Sequence, residues 1–175
     1  IQREKKFQNY EFSKNLEIRL IPSPGYKKNV SLKRFYDHMI MGINLNKLLK
    51  KETEFPDVCF IGYPPIEAAY TMSNWLIKRE IPYILDIKDQ WPEFIVKSFP
   101  FFTRPVIRSF FSYYYYISKR TMKNAAGISS MSHSFLDWAL NFSNRKKIQF
   151  DYVLPLTVPQ KKITFKDAEK NKYLE

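Results

Sequence analysis

The chain has 175 residues and 21.0 kDa, the size of one domain, with 45% hydrophobic and 26% charged residues. That balance excludes a disordered tail, a fibrous repeat and a disulfide-stapled miniature fold, while 4 glycines and 17% aromatics set the chain apart from an average globular sequence. Lys and Arg number 29 against 17 acidic residues, and a net charge of +12 calls for an anionic partner: nucleic acid, a membrane surface or a phosphorylated ligand.

The opening residues 1–7 (IQREKKF) are charged, so they are not a secretory leader, and the natural start is expected upstream of Ile1. Residues 16–21 (LEIRLI) alternate apolar and polar as a half-buried strand does, and the Pro22-Ser-Pro-Gly25 run stops it. Ser31 is the N-cap expected for a helix over residues 32–50, with Phe35, Met39, Ile43 and Leu48 or Leu49 as its apolar stripe. Residues 57–62 (DVCFIG) predict a buried strand, 66–79 a helix, and 81–87 (IPYILDI) a second buried strand. A proline-marked loop spans 88–100, and helical pattern resumes over 105–123. A short strand at 125–130, a helix over 132–141 and a last strand at 151–154 complete the order.

Short apolar strands alternating with helices predict an α/β, Rossmann-like domain: a mainly parallel sheet with helices on both faces. It covers residues 1–158, and 159–175 read as a Lys-rich tail or linker. Ligands of such sheets bind beyond the carboxyl ends of the strands, and that edge carries Tyr63-Pro64-Pro65, residues 86–92 and residues 129–133. No stretch of about 18 uncharged apolar residues exists to span a bilayer. The single Cys59 excludes an internal disulfide, fits a reducing compartment, and is expected to be a small buried hydrophobe.

Asp86-Ile-Lys-Asp-Gln-Trp-Pro92 is the densest polar cluster. A carboxylate leaving a strand end can bind a sugar hydroxyl or polarise a nucleophile, and Trp91 can stack on a sugar or base. The structural alternative is that Asp86 caps a helix and Asp89 pairs with Lys88 or an Arg. Residues 99–123 are a second constellation, which placed on a helix shows two stripes. Val106, Phe110, Tyr113 or Tyr114, and Ile117 are expected in the core. Arg104, Arg108, Phe111, Tyr115 and Lys119 form a basic and aromatic face suited to anionic lipid or phosphate. Nucleic acid is not expected as a partner, because no RNP1-like run, Gly-x-x-Gly clamp or zinc-finger spacing accompanies the basic residues. His38 reads as a helix-surface or capping histidine, and Ser132 as a helix cap with Ser129 and Ser130 beside it. Neither His38 nor His133 has partners at metal-ligand spacing, so no metal is expected. No Walker loop, G-x-G-x-x-G or Ser-His-Asp order supports a hydrolase or an NTPase.

Asp-x-Lys-Asp-x-Trp-Pro after a strand, preceded by Pro56-Asp-Val58 and Tyr63-Pro-Pro-Ile-Glu67, resembles family 4 glycosyltransferases of the GT-B fold, among them the bacterial enzymes of surface-polysaccharide assembly. Leu20-Ile-Pro-Ser-Pro-Gly-Tyr26, Asn29-Val-Ser31, Arg34 with His38, and residues 125–132 (AAGISSMS) add to the resemblance, which covers roughly residues 14–158. It implies the acceptor-side, N-terminal half of a retaining, metal-independent enzyme that takes sugar from a nucleotide sugar to a lipid-linked or saccharide acceptor.

By the same resemblance Asp89 is the catalytic-cleft residue. Arg34, Tyr63, Pro64, Pro65, Asp86, Trp91, Pro92 and Ser130 bind the acceptor. Arg34, Arg104, Arg108 and Lys119 are candidates for its phosphate or for lipid. The family's Glu-x7-Glu donor signature is absent from this stretch, so the nucleotide sugar is expected in a C-terminal domain supplied in cis or in trans, and no cofactor by this chain. Lys88 stands where the family more often has Arg. The implied location is cytoplasmic, peripheral on the inner face of the plasma membrane. The rival reading is a non-catalytic subunit that docks on membrane or on a partner transferase.

Overall fold

The computed structural model describes residues 6–27 and 31–156; the expected tail at 159–175 lies outside them. β1 (Gln8–Ser13) and β2 (Leu16–Leu20) form an antiparallel hairpin in which Ser13 faces Leu16 across a two-residue turn. After them come α1 (Leu32–Leu49), β3 (Cys59–Tyr63), α2 (Ile66–Ile77), β4 (Tyr83–Ile87) and α3 (Glu93–Lys97). A 3-10 turn (Phe101–Thr103) leads into α4 (Arg104–Phe110) and α5 (Ser112–Lys123), then β5 (Gly127–Ser130), α6 (His133–Ser143) and β6 (Tyr152–Val153). The last four strands lie side by side in the order β3-β4-β5-β6, all parallel. This is a Rossmann-like α/β fold, its sheet flanked by helices.

Local chemistry sets several boundaries. Ser31 is extended at the head of α1 and its Oγ accepts from the Arg34 N–H at 3.3 Å; Ser132 caps α6 through the Phe135 N–H at 3.4 Å. Asn144 closes α6 in the left-handed region at φ 52°, which Asn tolerates better than most residues.

The two faces of the sheet differ. Ile61, Tyr63, Tyr83, Leu85, Ile87 and Ile128 point to one side, where they join Ala69 and Leu76 of α2, Ile117 and Met122 of α5, and Leu136, Ala139 and Leu140 of α6 in one core. On the other side Val58, Phe60, Tyr152 and Leu154 are exposed. Cys59 is half-buried at the start of β3, and loss of water around it pushes its thiol pKa up.

Tertiary packing corrects three expectations. The 16–21 segment does not enter the parallel sheet. It pairs with β1, and Leu16 and Ile18 stay exposed because no layer lies against the hairpin. The buried side of α1 is Phe35, His38, Leu45 and Leu49, turned toward α2 and the Trp91 loop, while Met39 and Ile43 are exposed. His38 is accordingly inside, 4% exposed, with its ring 5.9 Å from Tyr26 and 6.1 Å from Trp91.

The third correction concerns residues 105–123, which do not form one helix. Phe111 is non-helical at φ −87°, ψ 7°, and separates α4 from α5. The break rotates the second segment relative to the first, so the two expected stripes are not continuous faces. Val106 and Phe110, expected in the core, are 61% and 83% exposed. Phe111 and Tyr115, expected at a lipid surface, pack inward: Phe111 lies 5.5 Å from Phe35, and the Tyr115 hydroxyl donates to Glu93 at 2.7 Å. Tyr114 and Ile117 do face the core. No helix among the described residues is long and apolar enough to cross a membrane.

Candidate functional site at the carboxyl edge of the sheet

Strand register brings Gly62, Asp86, Ser129 and Tyr152 into one row on the open face, at the carboxyl ends of the parallel strands. The Ser129 hydroxyl donates to Asp86 Oδ1 at 2.9 Å, and Lys88 Nζ stands 3.5 Å from Asp86 Oδ2. A side chain at Gly62 would meet nothing within 4 Å, so the space beside Asp86 is open. A carboxylate and an ammonium beside open space can receive a hydroxyl-rich ligand, with Asp86 accepting and Lys88 donating, while Tyr152 lies two strands further along the same row. Asp86 thus neither caps a helix nor stands alone. It is held from both sides.

Asp89 lies on the loop that follows and is half-buried, with Oδ1 accepting from the Gln90 N–H at 2.8 Å. It does not pair with Lys88, which reaches back to Asp86. The loop is fixed from beneath. The Lys88 N–H donates to the Tyr63 carbonyl at 2.8 Å, and the Tyr63 hydroxyl donates to the Trp91 carbonyl at 2.6 Å, with Ser118 Oγ 2.8 Å away. Burial drives the Tyr63 phenol pKa far above its ordinary value.

These contacts reassign several expected acceptor residues. Tyr63 and Ser130 are wholly buried, Trp91 is 4% exposed and Pro92 is buried at the head of α3. The Trp91 ring packs 5.9 Å from Phe35 and carries the Arg34 guanidinium 4.1 Å from its centre, so it anchors the loop instead of offering a stacking face. Ser130 donates to the Ser132 carbonyl at 2.7 Å and accepts from the Leu154 N–H through its own carbonyl. An aromatic that closes a strand end over a core is worth more buried than exposed. Pro64 and Pro65 are half-buried and lead into α2. Of the expected site, Asp86, Asp89 and half-buried Arg34 remain at the edge, joined by Lys88. Gly62 and Tyr152 were not foreseen, because only register across the four strands sets them in one row with Asp86.

The basic residues scatter. Arg104 donates to the Phe99 and Lys97 carbonyls at 3.0 and 3.1 Å, Arg108 lies 4.6 Å over the Tyr115 ring, and Lys119 lies 5.7 Å over Phe142. Among the described residues no group of three His, Cys, Asp or Glu is placed to hold a metal ion.

A second recess lies away from this edge. An open groove of about 790 Å³ runs between α1, α2 and α5, with Met39, Ile43, Tyr70, Trp75 and Tyr113 on its walls. Glu67 sits at its inner end, where Tyr114 donates to Oε1 at 2.8 Å and His38 Nδ1 is 3.9 Å from Oε2. Burial raises the Glu67 carboxyl pKa above its ordinary value. A carboxyl with a raised folded-state pKa lends stability that is complete below the unfolded pKa and is lost as pH rises through the folded value. Glu67→Gln keeps the acceptor for Tyr114 and removes the ionisation. Its urea midpoint, measured against the parent, therefore gains progressively as pH rises from the ordinary glutamate pKa through the higher folded-state value. An offset that is constant across that range would mean Glu67 titrates as it does in the unfolded chain.

No protein-family model matches the chain, nor does any curated protein or solved structure.

Proposed function

We propose that this chain is the acceptor-binding half of a glycosyltransferase, and that the Asp86–Lys88–Asp89 edge holds the sugar or acceptor hydroxyl during transfer from a nucleotide sugar. The observation that carries the reading is Asp86 with Lys88 over it and open space beside it at Gly62, at the edge where parallel α/β sheets bind ligands. The Asp-x-Lys-Asp-x-Trp-Pro motif supports it, because its aromatic and proline are the parts that anchor the loop while its carboxylates stay at the edge. Asp89 accepts from the reacting hydroxyl; Asp86 and Lys88 orient the ring. The nucleotide sugar and its binding domain come from a further segment or a partner chain. The reaction needs no metal from this half, and the acceptor is lipid-linked or a saccharide at the inner face of the plasma membrane.

The test uses the polypeptide that contains both halves, radiolabelled nucleotide sugars and lipid extract as acceptor. Asp89→Asn lowers turnover by about 100-fold, the lower end of the effect of a positioned proton acceptor, with KM for the nucleotide sugar unchanged. Near-normal turnover removes Asp89 from the reaction. Failure of every nucleotide sugar to label lipid or saccharide overturns the reading and leaves the non-catalytic membrane- or partner-binding subunit.

A further inference from the structure

The ten residues from Phe101 to Phe110 hold the largest concentration of exposed apolar rings in the described chain. Phe102, Val106 and Phe110 follow one another at four-residue steps, so the 3-10 turn and α4 present them as one stripe. They are 81%, 61% and 83% exposed, and Phe101 beside them is 81% exposed. Folding does not account for this exposure. The opposite side of the same segment turns Phe111 into the core, and Arg104 ties the segment to the end of α3 through the Lys97 and Phe99 carbonyls. The stripe is therefore held outward on a fixed platform.

Charge identifies what covers it. Between Glu93 and Asp137 the sequence has six basic residues, Lys97, Arg104, Arg108, Lys119, Arg120 and Lys123, and no acidic one. A protein partner with an apolar groove would match the rings alone. An anionic bilayer matches both parts, because rings enter the headgroup boundary while cations stay at the phosphates. We propose that residues 101–110 form a wedge that seats the protein on anionic lipid, with Phe101, Phe102, Val106 and Phe110 inserted and the exposed Lys97 and Arg108 at the headgroups. The proposal deepens the membrane part of the reading above by naming the segment, and it differs from the face expected from sequence, whose Phe111 and Tyr115 are inside.

Sedimentation of the full chain with vesicles tests it, in the absence of any nucleotide sugar, so that a negative result leaves the transfer reading to its own assay. The probes are vesicles of phosphatidylcholine alone and of phosphatidylcholine mixed with phosphatidylglycerol. The expected result is binding to the mixed vesicles, little to the neutral ones, and at least about tenfold weaker partitioning for F102S/F110S. Both rings are exposed, so the double variant keeps the parental melting temperature, which is measured alongside. Equal partitioning of variant and parent overturns the wedge and leaves electrostatic adsorption only. Absence of vesicle binding, with self-association in the ultracentrifuge that F102S/F110S abolishes, overturns it in favour of an interface between two copies.

Discussion

Asp151→Ala destabilises the domain by about 3–5 kcal/mol, the cost of leaving the other half of a buried ion pair without its partner. Arg145 Nη2 donates to Asp151 Oδ1 at 2.7 Å, with the two side chains 8% and 0% exposed. The same carboxylate accepts from the Ile128 N–H on one oxygen and from the Ile148 N–H on the other, both at 2.8 Å. Arg145 in turn donates to the Ala125 and Met122 carbonyls at 2.5 and 3.2 Å. One pair thus joins the end of α5, strand β5, the end of α6 and the entry to β6. Urea unfolding of the full chain measures the loss, and the melting temperature falls by about 6–20 °C for a domain of this size. Two backbone N–H groups also end on Asp151, so Arg145→Met with Asp151→Leu does not restore stability as it would for an isolated pair. A double variant as stable as the parent would show that the backbone contacts carry nothing. A loss below about 1 kcal/mol for Asp151→Ala would mean that the pair behaves as a surface one.

Gly127→Ala costs about 3 kcal/mol, the upper end of the usual range for overpacking. A Cβ there would fall 2.5 Å from the Phe150 carbonyl oxygen, 2.9 Å from Phe150 Cβ and 2.8 Å from Ile84 Cδ1. The Ile84 methyl can swing away. The Phe150 backbone cannot move freely, because the next residue is Asp151 with its three anchors. The methyl therefore pushes β6 away from β5, and Phe150→Ala, which removes the ring but not the carbonyl, does not rescue it. Chemical denaturation reads both variants. If Gly127→Ala unfolds at the parental midpoint, the segment before β6 yields more easily than these contacts allow.

Much of the architecture was legible because it depends on local patterns. The apolar runs around Ile61, Leu85 and Ile128 are strands in the places expected, since five apolar residues between turn signals have few other uses in a chain of alternating helices. Ser31 and Ser132 cap the helices they precede because the capping oxygen and the N–H it accepts lie three residues apart. The hairpin strand β1 escaped notice: its residues are largely polar, and its only signal is alternation on either side of Lys14-Asn15.

What failed, failed where the answer depended on direction. Helical periodicity groups Val106 with Ile117, and Arg108 with Tyr115, only while the helix stays unbroken. Phe111 leaves the helical region between them, and the inside and outside of the segment exchange. His38 is polar and follows Asp37 in the sequence, yet α1 turns it toward α2 and Trp91. At the candidate site the sequence by itself determined which carboxylates leave the sheet edge, because a strand followed by Asp86-Ile-Lys-Asp89 can end in only one place. The tertiary structure decided which of the surrounding residues are free to act. It buried Tyr63, Trp91 and Ser130 in the support of the loop, and it set Gly62 and Ser129 beside Asp86 with Tyr152 one strand further. The physical reason is the parallel register: neighbours in that row come from strands separated by whole helices, and only hydrogen bonding between the strands makes them adjacent.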